Sequence, residues 1–199
     1  PPPSAIYYKF ISSVPILWGD FVQTALKGAL PGYLIGCGAA FFVSLIADKF
    51  RFFARGVLPI GNFLAAMPII GIAPILVMWY GYGWQSKAAV VAVMVFFPIL
   101  VNTVQGMKMS DEIHKDLMQT YNANYLQTLL KLRLATAMPF IFNGLKICTT
   151  LALIGAIVAE FFGSPIRGMG FRISTEAPRF ALDMVWAEIT VAAIAGSLF

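Results

Sequence analysis

The chain has 199 residues, of which 59% are hydrophobic and only 12% charged, and its mean hydropathy is +0.80. An average soluble domain is roughly 45–50% apolar and about 25% charged, so this chain lacks the polar side chains to cover a water-exposed surface. That excludes a soluble globule, a disordered chain and a disulfide-dense scaffold, and makes lipid the solvent for most of it. The net charge of +5 arises from short basic clusters without interleaved aromatics, which suits anionic lipid headgroups and not nucleic acid. Cys37 and Cys148 lie in apolar runs without metal-ligand spacing and read as buried thiols.

A membrane span needs about 20 apolar residues at about 1.5 Å each. Four stretches qualify, at about 24–47, 57–80, 86–106 and 139–162, and a fifth starts near Asp183 and runs to the end. The chain opens PPPSAIYYKF without Met and stops inside an apolar run, so further sequence is expected beyond both ends. In the first span Gly28, Gly32 and Gly36 recur one turn apart and predict a close-packing helix face. The second span holds Pro59, Pro68 and Pro74 with Gly61 and Gly71. Each internal proline removes a backbone donor that lipid cannot replace, so this span cannot be a straight helix. Met78, Trp79, Tyr80 and Trp84 end it as interfacial anchors, with Trp79 also a candidate stacking contact for a planar solute.

Polar groups inside the spans are functional candidates by default. Asn102 and Gln105 sit near the end of the third span, where they cap, bond neighbours or line a path. In the fourth, Lys146 and Glu160 share a stripe with Thr150 but stand about 21 Å apart along the axis, too far to pair. Lys146 is placed to snorkel, and Glu160 lies near the outer end, as a path or gate residue or one solvated at the interface. The candidate path residues are therefore Asn102, Thr150, Glu160 and Trp79. Ala152, Gly155, Ala156 and Ala159 form a small-residue face suited to close helix contact, a dimer seam included.

Alternation of spans puts the 48–55 and 108–138 loops on one side. Lys49, Arg51 and Arg55 directly follow a span end while the 81–85 loop has no cation, which places that side in the cytoplasm. No GxxxxGK[ST], HExxH or GxSxG occurs, and His114 is alone. The chain therefore offers no catalytic or metal-binding constellation and is not read as an enzyme.

The 108–138 loop reads as two short helices. Ser110 is the expected N-cap of the first, with Asp111 and Glu112 in its first turn. The pattern breaks at Tyr121 to Asn124, where Asn122 is the natural left-handed corner. Asn124 and Gln127 stand in capping-box register for the second helix, which has Lys131 and Arg133 in its last turn. Leu126, Leu129, Leu130 and Leu134 make a stripe too short to span, expected to bury against the protein's own helix ends or a partner.

This loop resembles the EAA coupling loop of ATP-binding-cassette importer permeases, Glu-Ala-Ala, three residues, Gly, nine residues, then Ile-x-Leu-Pro. Asp116, Leu117 and Met118, then Asn122, then Leu132, Leu134 and Ala135 hold the matching positions. Asn122 in place of Gly keeps the turn feasible, and Ala135 in place of Pro leaves Pro139 as the boundary signal. TAMPFIFNGLKI, AMPIIGIAPILVMWYGYGWQSK, VFFPILVNT and AEFFGSPIRGMGFRI are similar to stretches of the nitrate, sulfonate, taurine and pyrimidine-precursor branch. The resemblance covers roughly residues 24–199.

The resemblance implies one transmembrane permease domain over 1–199, an all-α polytopic bundle of about five spans here and six in a full subunit, with 108–138 as the cytoplasmic coupling loop. Asp116, Met118, Asn122, Ala123, Leu126, Leu129, Leu130 and Leu134 would contact the ATPase. It implies a second permease, identical or homologous, two ATPase subunits and a periplasmic or lipid-anchored binding protein as partners. The partner ATPase would bind ATP and Mg, leaving this chain without a cofactor. An ion-coupled carrier or channel is the alternative, but that requires midplane charges or inverted repeats, which are not evident.

Overall fold

Prolines and glycines set where the helices begin, widen and touch. The computed structural model describes residues 1–50, 67–163 and 166–198, together with positions 56, 59 and 61. Among these no strand occurs. Helix α1 (Pro3–Ser12) starts on a proline at its first position and stops where Pro15 has no N–H to return to the Ile11 carbonyl. Helix α2 (Val14–Phe21) runs through a π-helical stretch, Val22–Ala29, into α3 (Leu30–Lys49). The wide turns end at Leu30, whose N–H reaches back five residues to Ala25, just before Pro31, which cannot continue an ordinary ladder.

Helix α4 (Ile69–Tyr80) begins immediately after Pro68 and ends at Gly81, whose φ of 77° suits glycine. With 12 residues, about 18 Å, it does not cross a membrane alone. Most of the first half of the second expected span, and the loop cations Arg51 and Arg55, fall outside the described residues. Helix α5 (Trp84–Lys108) contains Pro98, and α6 (Glu112–Thr120) follows a short turn. Helix α7 (Tyr125–Thr128), a π-helical stretch Leu129–Arg133 and α8 (Leu134–Phe162) form one continuous run. The expected boundary at Pro139 is absent, because that proline is absorbed inside α8. Helices α9 (Met169–Glu176) and α10 (Leu182–Leu198) complete the chain. Three described runs are long and apolar enough to cross a membrane, Val14–Lys49, Trp84–Lys108 and Tyr125–Phe162.

The chain forms two compact units. The first comprises 1–36, 67–95 and 149–199. Its core is small and stepwise: Leu17, Met184 and Ala187 in one cluster, Ala25, Leu153 and Ala195 in a second, Ala73, Val90 and Ala159 in a third. The glycine face behaves as its spacing predicts. A Cβ on Gly32 would stand 2.5 Å from the Ala88 carbonyl oxygen, and one on Gly36 2.5 Å from the Val95 side chain. The small-residue face of α8 is used inside the same unit: Ala152, Ala156 and Ala159 are buried, and a Cβ on Gly155 would meet Met94 at 2.7 Å. That face is thus taken up within the chain, so the expected dimer seam is not formed there.

The second unit comprises 37–66 and 96–148. Here Gly106 admits Ala137 and Phe140, and Gly144 admits Ile99 and Asn102. Cys37 and Cys148 are buried free thiols in mutual hydrogen-bond contact. Phe42 and Ile46 on α3 are exposed in the isolated chain, as are Leu34 and Ile35 on the part of α3 that belongs to the first unit.

Replacing Gly32 by Ala will lower the stability of the detergent-purified chain by about 1–3 kcal/mol through overpacking. Gly38, around which a Cβ would meet nothing within 4 Å, will accept Ala without loss, and thermal unfolding of the two variants distinguishes them.

Candidate functional site

Two places concentrate groups that a helical bundle does not need for packing alone: the loop surface of the second unit and a buried polar cluster in the first.

The loop is built by short-range capping. Asp111, not Ser110, is the N-cap of α6, accepting from the Ile113 N–H at 3.1 Å. Ser110 is instead buried and donates its hydroxyl back to the Met107 carbonyl, finishing α5. Asn122 sits at φ 51°, the left-handed corner, donating its N–H to Gln119, while the Ala123 N–H reaches Met118. Asn124 and Gln127 exchange hydrogen bonds of 2.9 Å in a complete capping box. Lys131 and Arg133 do not close a separate helix, since the π-helical stretch carries the backbone straight on into α8.

Sorting by exposure divides the leucine stripe. Leu129 is 7% exposed and Leu134 half-buried, whereas Leu126 and Leu130 are 62% and 64% exposed. Ile113, Leu117 and Tyr121, four residues apart on α6, are exposed as well. Asp116 is also exposed, while Met118 and Ala123 are half-buried. The α6 stripe of Ile113, Leu117 and Tyr121 is readable from its spacing but was not among the expected contacts. The loop is tied down by Asp48 at the end of α3. Its carboxylate accepts from Arg133 Nη1 at 2.8 and 2.9 Å and from the Tyr125 hydroxyl at 2.9 Å. Eighty-five positions separate Asp48 from Arg133, and no local pattern reveals that pair.

In the first unit, Glu160 is 2% exposed near the end of α8. The Thr24 hydroxyl, presented by the π-helical turn, donates to its carboxylate, lying 3.0 and 2.9 Å from the two oxygens, and accepts from the Met169 N–H at 2.8 Å. The Gly170 N–H donates to Glu160 Oε2 at 2.9 Å. Asp20, also buried, accepts from the Gly168 N–H at 2.9 Å and from Arg172 Nε at 2.7 Å. Three consecutive N–H groups at the start of α9 are therefore held by side chains of α2, its π-helical extension and α8. Gly168, at φ 137°, lies so close to Glu160 that a Cβ would collide with the carboxylate. Lys87, 1% exposed, donates its ammonium to the Tyr82 carbonyl at 2.6 Å and to that of Gly163. Glu188 on α10 is wholly buried near Asp20 and Arg172, and neither of its oxygens accepts a hydrogen bond from the described residues.

The other expected path residues are not gathered there. Asn102 Nδ2 donates to the Pro98 carbonyl of its own helix at 2.8 Å, Thr150 is exposed on α8, and Trp79 is exposed at the end of α4. Asp20, Lys87, Arg172 and Glu188 were not foreseen; their partners lie far off in sequence, and only an acid or a lysine within an apolar context could have flagged them. Among the described residues no three His, Cys, Asp or Glu side chains converge as metal ligands.

These features, long apolar helices, a capped loop with an outward apolar face and a buried polar cluster, define a polytopic α-helical membrane protein. Residues 32–199 match the family of binding-protein-dependent transport system inner membrane components, and the chain belongs to that family. It is 32% identical over 194 residues to a probable ABC transporter permease protein of Haemophilus influenzae, covering 96% of this chain and 77% of that one. It is 31% identical over 179 residues to the formylaminopyrimidine transport permease protein ThiX of Halalkalibacterium halodurans, covering 88% and 71%. The riboflavin transport system permease protein RibX of Chloroflexus aurantiacus is 26% identical over 196 residues, covering 98% and 72%. The chain is a multi-pass inner-membrane permease subunit of an ATP-binding-cassette importer, with the type I importer transmembrane fold, and it moves a small solute as part of a transporter complex.

Thr24→Val leaves the Met169 N–H without its acceptor and removes one of the two donors to Glu160, the Gly170 N–H remaining. The loss should be about 1–3 kcal/mol, read as a lower unfolding temperature and faster proteolysis in the 163–176 segment, with Thr24→Ser restoring both.

Proposed function

We propose that this permease works with a second permease copy or homologue, two ATPase subunits that bind ATP and Mg, and a binding protein that delivers the solute on the outer side. The chain itself contributes no catalytic residue and no cofactor. In this reading the 48–55 and 108–138 loops face the cytoplasm, and the exposed face of Ile113, Leu117, Tyr121, Leu126 and Leu130 enters the ATPase. Asp116, Met118, Asn122 and Ala123 shape the turn, while Leu129 and Leu134 fasten it from beneath.

The observation that supports this is mechanical. The loop's apolar face stands on a helix that continues without a break from Tyr125 to Phe162, and Asp48 bolts its base to α3 through Arg133 and Tyr125. A push on the loop therefore moves a transmembrane helix as a lever instead of bending a hinge. Trp79, Thr150 and Glu160 of the first unit and Asn102 of the second are kept as candidate path residues, and Glu160 also holds the start of α9 through the Gly170 amide. Relatives named for formylaminopyrimidine and riboflavin transport support a small organic solute as the cargo.

Leu130→Asp and Leu126→Asp place a charge on the docking face without touching the buried side. ATP-dependent uptake in proteoliposomes should fall at least tenfold, while the subunit still inserts. Leu129→Asp, by contrast, buries a carboxylate and should reduce the amount of folded protein. Unchanged uptake with Leu130→Asp, or a chain that never co-purifies with an ATPase, would refute the docking role.

A further inference from the structure

Cysteine occurs twice in the chain, at 37 and 148, far apart in sequence. Inside the second unit the two thiols meet, both buried and in hydrogen-bond contact with each other. Cys37 belongs to α3 and Cys148 to α8. These are the two helices that Asp48 and Arg133 join at the base of the loop.

The order of the two contacts along the chain makes α3 and α8 antiparallel, so both helices lead the same way from the ion pair to the thiols. At about 1.5 Å per residue, that path is about 16 Å along α3 and about 22 Å along α8. The thiol contact therefore lies well inside a hydrocarbon layer about 30 Å thick. Sulfurs at that depth are shielded from reagents dissolved in water and open to oxidants dissolved in lipid. Side-chain rotation has to supply only the last step, from contact to an S–S bond of about 2.05 Å.

We infer that Cys37 and Cys148 are an oxidative modification site, a reversible cross-link between α3 and α8 made by a lipid-soluble hydroperoxide. One sulfur, as its thiolate, attacks the outer peroxide oxygen and breaks the O–O bond. The alkoxide takes up the thiol proton and leaves as an alcohol, and a sulfenic acid remains. The second sulfur displaces the sulfenic hydroxyl, which leaves as water with the second thiol's proton. Two thiols and one hydroperoxide thus give one disulfide, one alcohol and one water, the peroxide taking both electrons.

The consequence is mechanical. Held by the Asp48–Arg133 pair alone, α8 is free to pivot on α3 at its base. A covalent tie higher up removes that freedom, so the oxidised permease no longer transmits movement of the loop. This locking step rests on the coupling role proposed for the loop, whereas the cross-link does not.

The test treats the permease–ATPase complex in lipid nanodiscs with cumene hydroperoxide. The expected product is a pair of peptides joined through Cys37 and Cys148, lighter by two hydrogens than the free thiols. The permease should unfold at a temperature higher by roughly 5–15 °C, ATP hydrolysis should be lost, and a phosphine reductant should reverse all three. Cys37→Ala and Cys148→Ala each leave one thiol in the chain and should keep full ATP hydrolysis under peroxide. Both variants carry the same ATPase subunits, so they control for oxidation elsewhere, and either one suffices if the other does not assemble. Absence of the joined peptides, or sulfinic acid on separate cysteines, overturns the site. Joined peptides with ATP hydrolysis unchanged, or hydrolysis lost equally in the alanine variants, overturns the lock. If no ATPase assembles, the importer reading fails, and the joined peptides and unfolding temperature of the permease alone still decide the cross-link.

Discussion

A carboxylate at the end of an apolar helix has few ways to exist in a lipid environment, because hydrocarbon donates no hydrogen bonds and burial without partners costs several kcal/mol. Glu160 is met by the protein: a hydroxyl from the π-helical turn after α2 and an amide from the start of α9. Much of the first unit's architecture follows from this. The π-helical turn presents Thr24, the close approach of α9 requires glycine at 168 and 170, and Asp20 and Arg172 continue the same seam. The start of α9 is thereby held through the amides of Gly168, Met169 and Gly170.

The second unit solves a different problem. Under the coupling role proposed for it, the loop must keep its shape, and its order comes from caps and one ion pair. Asp111, the left-handed Asn122 and the Asn124–Gln127 box satisfy the helix ends locally, and Asp48 anchors the base through Arg133 and Tyr125. That leaves the side chains of Ile113, Leu117, Tyr121, Leu126 and Leu130 exposed, the surface proposed above for the ATPase. Between α7 and α8 the backbone ladder is continued by the π-helical stretch Leu129–Arg133, and Pro139 is carried inside α8.

The sequence and the structure agree wherever a feature depends on a few consecutive residues. The Asn122 corner and the capping box could be read because both are set by side chains three or four positions apart. The cap moved by one residue, from Ser110 to Asp111, since the serine hydroxyl had a nearer carbonyl at Met107. Pro139 misled because a proline in a well-packed helix bends its ladder without ending it. The leucine stripe was visible, but its division into inward Leu129 and outward Leu130 was not, because the π-helical turn rotates the register at that point.

By itself the sequence determined the solvent, the apolar runs, the glycine face, the loop's local turns and, through its resemblance, the importer class. These follow from composition and short-range sterics, which act on the chain before it folds. Only the tertiary structure decided that Glu160 would be locked to Thr24 and Gly170, that Lys87 would bridge two loop carbonyls, and that Asp48 would find Arg133. Those pairings span from 5 to 136 positions along the chain, and most arise between helices whose mutual approach no local pattern encodes. In hydrocarbon an unpartnered buried polar group is costly, so the packing of the helices decides which residues come together in the polar cluster.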